Sequence, residues 1–218
     1  MNRLDPLYAL LAIATAPAWL RKTRGGWGQR FGHVRRMMGD APAGGRPRLL
    51  LHAVSVGEVN ALRSLVPLLV ERADVVVSAT TDTGVKRARA LYAETCTVVR
   101  YPLDFSGSVA RFLDAVRPDA VALVELELWP NFLSACRARG VPVCVVNGRL
   151  SERSFRGYRR FRRFLSPMFG ALEFAAVQDE AYAERFEAMG VAHDALHITG
   201  SMKWDNARVV DSVEGADG

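Results

Sequence analysis

Seven short apolar runs, spaced by longer amphipathic stretches, constrain this chain more than any other feature. The runs are Leu49 to Val54, Val75 to Ala79, Cys96 to Tyr101, Ala120 to Val124, Val141 to Val146, Phe174 to Val177 and Leu196 to Thr199. Between them, helical patterns are expected near 58–71, 83–94, 107–116, 129–139, 151–169 and 179–189. Strands that read as continuous apolar runs are buried on both faces, which is the condition of a parallel sheet covered by crossover helices. The fold class predicted is therefore α/β, a Rossmann-like doubly wound parallel sheet. A chain of 218 residues buries one substantial core, so one globular domain is expected with a small N-terminal appendage.

Ligands of such sheets bind beyond the carboxyl ends of the strands. Those positions read Ser55-Val56-Gly57-Glu58, Thr80-Thr81-Asp82-Thr83-Gly84, Glu125-Leu126-Glu127-Leu128-Trp129-Pro130, Asn147-Gly148-Arg149, Gln178-Asp179-Glu180 and Gly200-Ser201-Met202-Lys203. Polar loops at strand ends are ordinary, and the convergence of six on one rim is what points to a site. No GxGxxG follows the first run and no GxxxxGK[ST] occurs, which argues against a dinucleotide enzyme and a P-loop nucleotidase. A GxSxG elbow is missing as well. Gly57 permits close backbone approach, and Glu58 opens the next helix. A carboxylate there either stabilises the helix dipole or serves as a general base toward an attacking hydroxyl. Glu125 and Glu127, if extended, fall on one side of the chain, and two acids so placed are costly unless basic or hydroxyl partners are near.

The net charge of +6 is unevenly placed. Residues 1 to 48 hold nine Lys/Arg against two carboxylates, and residues 149 to 163 hold seven Arg against Glu152, leaving the remainder acidic. Two basic segments on an acidic body suit an anionic partner such as nucleic acid, phosphates or a lipid surface, or else form a solvated helix face. Pro6 to Leu20 is apolar and uncharged, is interrupted by Pro17, and is followed at once by Arg21, Lys22 and Arg24. Its length falls short of the ~20 residues of a spanning helix, so a monotopic or signal-anchor-like attachment is expected, with its basic side in the cytoplasm. The other reading is a helix docked on the protein's own surface. Cys96, Cys136 and Cys144 lie in apolar stretches without metal-ligand spacing, so a reduced, cytosol-facing location with no structural zinc is expected, the thiols filling the core. The divisions expected are an anchor helix with a basic glycine-rich segment over 1–38, a linker over 39–48, the Rossmann-like domain over 49–205 and a tail over 206–218.

Four motifs carry a family resemblance: His52-Ala53-Val54-Ser55-Val56-Gly57-Glu58, Glu125 to Asn131, Asn147 to Ser154 and Thr199 to Lys203. In order and spacing they resemble the Kdo (3-deoxy-D-manno-octulosonic acid) transferases, glycosyltransferase family 30. Arg24 to Gly32 looks like that family's basic, glycine-rich segment, with Gln29 where glutamate is common. The resemblance spans residues 7 to 206 and implies the N-terminal, acceptor-binding half of a GT-B enzyme. It further implies lipid A or its tetraacyl precursor as acceptor, CMP-Kdo as donor held by a C-terminal domain absent from this chain, and inverting transfer without metal or cofactor. Nucleic acid is not among the implied partners, and the implied place is the cytoplasmic face of the inner membrane. Glu58 takes the role of base, with Glu125 also catalytic. Ser55, Gly57, Thr80, Thr81, Glu127, Asn147, Arg149, Ser151, Arg153, Gln178, Ser201 and Lys203 are the expected substrate-binding residues. Arg149 and Arg153 are expected to meet acceptor phosphates, with the later arginines facing headgroups or solvent. A non-catalytic lipid A-binding domain, and half of another GT-B enzyme acting on a lipid-linked sugar, are the competing readings.

Overall fold

The computed structural model describes residues 25–34 and 45–203 together with Asp5, Pro6, Tyr8 and Leu10. The expected anchor and linker fall largely outside these residues, and the tail over 206–218 falls wholly outside. A short helix α1 (Trp27–Arg30) precedes seven parallel strands: β1 (Arg48–Ala53), β2 (Asp74–Ala79), β3 (Thr97–Arg100), β4 (Ala120–Val124), β5 (Val143–Gly148), β6 (Ala175–Val177) and β7 (Leu196–Ile198). They form one sheet in the order β3-β2-β1-β4-β5-β6-β7. The order reverses between β1 and β4, which is the switch point where doubly wound sheets open a crevice.

Alternation along β1 sends Leu50 to one face and Leu51 to the other, and the core divides accordingly. Leu50 belongs to a cluster with Val99, Val121, Phe112, Phe132 and Phe186. Leu51 packs with Val59, Val66, Val75, Val85 and Tyr92 on the opposite face. The helices that follow the strands are α2 (Val56–Ala61), α3 (Leu65–Val70), α4 (Asp82–Tyr92), α5 (Ser106–Val116), α6 (Pro130–Ala138), α7 (Glu152–Arg160), α8 (Arg162–Phe169) and α9 (Glu180–Met189).

Two expected helices are each broken in two. The pattern over 58–71 becomes α2 and α3, because Pro67 has no N–H to donate to the carbonyl of Arg63 and its ring crowds that carbonyl. The chain turns at Leu62 to Ser64 and restarts at Leu65. The pattern over 151–169 breaks at Phe161, whose φ of −108° and ψ of 17° are not helical. No glycine or proline marks that second break.

Two residues of the expected anchor are docked on the domain. Asp5 Oδ1 accepts from Ser106 N at 2.9 Å and Asn131 Nδ2 at 3.1 Å, and Ser106 Oγ donates to its other oxygen. Tyr8 donates to Asp104 Oδ2 at 3.0 Å, and Asp104 in turn accepts from the free N–H groups of Asn131 and Phe132 at the start of α6. Among the described residues no helix is long and apolar enough to cross a membrane.

Candidate active site

Every strand of a parallel sheet delivers its following loop to the same edge, and here that edge collects three carboxylates. Ser55 is the N-cap of α2, and Glu58 closes a reciprocal capping box. The Glu58 carboxylate accepts from Val54 N at 2.7 Å through Oε2 and from Ser55 Oγ at 2.7 Å through Oε1. Burial raises its affinity for a proton, the bonds from Val54 and Ser55 oppose this, and the charge of Glu125 adds to it. The two readings of Glu58 left open by the sequence thus describe one side chain, capped in and proton-seeking together. The Ser-x-x-Glu spacing carried the capping box in plain view.

Glu125 corrects the expectation of an extended chain. β4 ends at Val124, and Glu125 lies in the left-handed region with φ 63°, so simple alternation does not place it beside Glu127. The two nevertheless converge. Burial first, then the charge of Glu58, pushes the Glu127 carboxyl up to about 7, with Glu125 adding and a hydrogen bond from Trp129 opposing. That bond runs from Trp129 Nε1 to Glu127 Oε2 at 3.1 Å. Lys203 Nζ lies 3.4 Å from Glu125 Oε1, the basic partner that crowded acids need.

Asn147, at the end of β5, is also left-handed, φ 54°, and is almost wholly buried. Its Oδ1 accepts from Met202 N at 3.1 Å and its carbonyl from Gln178 Nε2 at 3.2 Å. It ties the ends of β5, β6 and β7 together, a positioning role, and Ser201 Oγ accepts weakly from Lys203 N at 3.4 Å. Arg149 reaches the hydroxyl of Tyr182 at 3.3 Å, and its guanidinium is held charged by Tyr182 and, more weakly, by Glu125.

On the other side of β1, Thr81 caps α4 by accepting from Gly84 N and donates to the Val54 carbonyl, both at 3.0 Å. Val54 therefore couples Thr81 to Glu58. The Thr80 carbonyl accepts from Arg30 and Arg100, and both guanidinium groups pair with Asp82. This clasp fixes the glycine-rich N-terminal segment to the rim. Arg30, Arg100 and Tyr182 were not expected at the site from sequence, because their roles depend on contacts across long separations.

The expected set therefore divides. Glu58, Glu125, Glu127, Lys203 and Arg149 come together, with Ser55, Thr81, Asn147, Gln178 and Ser201 holding them, and Gly57 in the first turn of α2. Ser151 serves as the N-cap of α7, accepting from Ser154 N at 3.3 Å, and Arg153 is exposed on that helix, away from the carboxylate cluster. Two cavities, about 690 and 260 Å³, lie elsewhere. The larger is lined by Arg46, Arg48, Asp119 and Arg139 at the amino ends of the strands, and the smaller by Glu180, Glu187 and His193. Among the described residues no three His, Cys, Asp or Glu groups are placed to hold a metal ion.

A doubly wound parallel sheet with acids and bases gathered at its switch-point edge defines an α/β domain of the kind found in GT-B-like proteins. Its backbone is similar to a UDP-GlcNAc 2-epimerase from Neisseria meningitidis (TM-score 0.52, 11% identity, 71% of this chain and 47% of that one). It is likewise similar to an Anabaena protein crystallised with UDP-glucose (TM-score 0.55, 13% identity, 72% and 44%). Those likenesses show the fold alone. A family model for 3-deoxy-D-manno-octulosonic-acid transferase (kdotransferase) matches residues 25–206, and the chain belongs to that family of glycosyltransferases. It is 34% identical over 218 aligned positions to the 3-deoxy-D-manno-octulosonic acid transferase of Bordetella pertussis, covering 92% of this chain and 50% of that protein. With the Haemophilus influenzae transferase it shares 31% over 180 positions, 81% of this chain and 41% of the relative. The chain thus spans half or less of the length of these relatives.

Proposed function

We propose that this chain is the acceptor-binding half of a Kdo transferase, moving Kdo from CMP-Kdo to lipid A or its tetraacyl precursor in lipopolysaccharide synthesis at the cytoplasmic face of the inner membrane. The observation that carries the reading is Glu58, a partly buried, proton-seeking carboxylate at the switch-point edge. Glu58 takes the proton of an acceptor hydroxyl as that oxygen bonds to the anomeric carbon of Kdo. The bond from that carbon to the CMP phosphate breaks, and CMP leaves with the electron pair. Glu125, held by Lys203, supplies negative charge beside Glu58 and keeps its proton affinity high. Arg149 stands where an acceptor phosphate can replace its contact with Tyr182. The donor is expected to be held by a second domain.

Glu58→Gln tests this in a full-length transferase carrying the segment. Glutamine still accepts from Val54 N–H and preserves the capping box, so stability should change little. Loss of the base should slow Kdo transfer by about 10²–10⁴-fold with acceptor binding retained. Transfer within a few-fold of wild type would leave Glu58 as a helix cap alone. That outcome would move the base to another group of the rim, since both Glu58 carboxylate oxygens are already engaged in the cap.

A further inference from the structure

Helix α7 contains no buried residue. Phe155 and Gly157 are half-buried, and the other seven residues are exposed. A helix that hides so little of itself gains little from the fold it belongs to. Aromatic residues nevertheless recur along it and into α8 at every third position, Phe155, Tyr158, Phe161 and Phe164. Positions three apart share a helix side. Phe161 is 67% exposed and Phe164 55% exposed, at and just beyond the break that turns α7 into α8. Around them stand six arginines, Arg153, Arg156, Arg159, Arg160, Arg162 and Arg163, against the single acid Glu152. Glu152 is shared between Arg156 and Arg185, and Arg162 is spent on the carbonyl of Ala188. Arg160 and Arg163 are exposed and make no ion pair or hydrogen bond among the described residues.

We infer that the α7–α8 elbow is a membrane-docking element, in which Phe161 and Phe164 enter the boundary between headgroups and acyl chains of an anionic bilayer while Arg160 and Arg163 meet lipid phosphates. Exposed aromatics set in a strongly basic, otherwise polar helix are the pattern of a helix lying in an interface. The excess of arginine selects an anionic surface, and exposed aromatics set among the arginines select one with an apolar interior. The inference rests on the reading of a lipid-linked acceptor, and it adds where the bilayer meets the domain. Arg149, which stands at the rim, lies three residues before the start of α7, and the Tyr158 phenol is raised first by burial and then by the charge of Glu127, so the elbow's first helix adjoins the rim. A bilayer held at the elbow therefore presents its headgroups to the carboxylates.

The test uses the 218-residue chain with phosphatidylcholine vesicles, with and without phosphatidylglycerol. Phe164→Cys and, as control, Leu68→Cys on α3, 63% exposed, each carry an environment-sensitive fluorophore. Cys96 and Cys136 are buried, and the unsubstituted chain treated with the same dye corrects for Cys144. The label at 164 should shift to the blue on anionic vesicles only, with salt reversing the shift, and the label at 68 should not respond. Phe161→Ser with Phe164→Ser should weaken vesicle binding about tenfold or more. Arg160→Gln with Arg163→Gln should remove much of the preference for phosphatidylglycerol. Equal shifts at 68 and 164, or serine variants that bind within twofold of the parent, overturn the inference and leave attachment to other segments. So does a shift that follows protein concentration without lipid, which would mark a protein contact. Lipid A binding in detergent micelles, measured in parallel, should be unchanged in both pairs. Its loss in the parent chain would sink the transferase reading while leaving the vesicle result standing.

Discussion

Glu127 carries the clearest titration in the site, and its sign can be worked through. Its carboxyl is pushed up from 4.5 to about 7, so between those values the folded chain holds a proton that the unfolded chain releases. Stability falls as pH rises through that window. Asp104, raised to about 6 mainly by burial, acts in the same direction. His52, fully buried against Tyr101 and lowered to about 3, acts oppositely, since the unfolded imidazole gains a proton below about 6.5 and the folded one does not. The difference between wild type and Glu127→Gln cancels both. In urea denaturation the glutamine variant should gain on wild type as pH rises from about 5 to about 8, by on the order of 1 kcal/mol after allowance for solvent screening. A constant difference across that range would mean that Glu127 ionises freely. The sequence made the residues of this cluster legible, because each follows an apolar run directly. It did not make the conformation of Glu125 legible, since left-handed backbone at a glutamate leaves no mark in composition or spacing.

At the scale of elements, the strands were readable because continuous apolar runs have few other uses, and the helix breaks were only half readable. Pro67 states its break by missing an N–H, whereas Phe161 breaks its helix without any such residue. The crossover from β2 to α4 shows how tightly one loop is built. Thr81→Ala removes the cap of α4 and the bond to Val54 together and should cost about 1–2 kcal/mol. Thr81→Ser should recover most of it, as read by chemical denaturation. At Gly84 two effects compete. Alanine is favoured over glycine within a helix by about 1 kcal/mol, yet a Cβ there would stand 2.8 Å from Thr81 Oγ1 and 3.0 Å from the Val54 carbonyl oxygen. Because Thr81 is itself held in the cap, it has no room to retreat. Gly84→Ala should therefore destabilise, by about 1–3 kcal/mol, and a gain in melting temperature would show that the cap yields.

For the whole molecule, the parallel order places every chemical group at one edge and leaves the opposite edge to the cavity near Arg48 and Asp119. On the proposed acceptor-binding reading, the purified 218-residue chain is expected to bind a lipid A acceptor without turning over CMP-Kdo. Transfer of labelled Kdo by the chain alone would place donor recognition within these residues. A further consequence concerns selection. Glu125 and Asn147, at the ends of the neighbouring strands β4 and β5, both keep a left-handed backbone that costs a non-glycine residue about 1 kcal/mol or more. Glycine at Glu125 would relieve that cost while deleting a side chain the rim uses, whereas at Asn147 it would also strip the buried bond from Met202 N and so bring no net gain. A directed-evolution campaign that rewarded heat resistance alone would thus drift toward glycine at the Glu125 codon and yield sturdier proteins with a blunted edge. Lineages under pressure to keep the chemistry should forgo that easy gain, and position 125 then becomes a readout of which pressure a homologous chain has lived under.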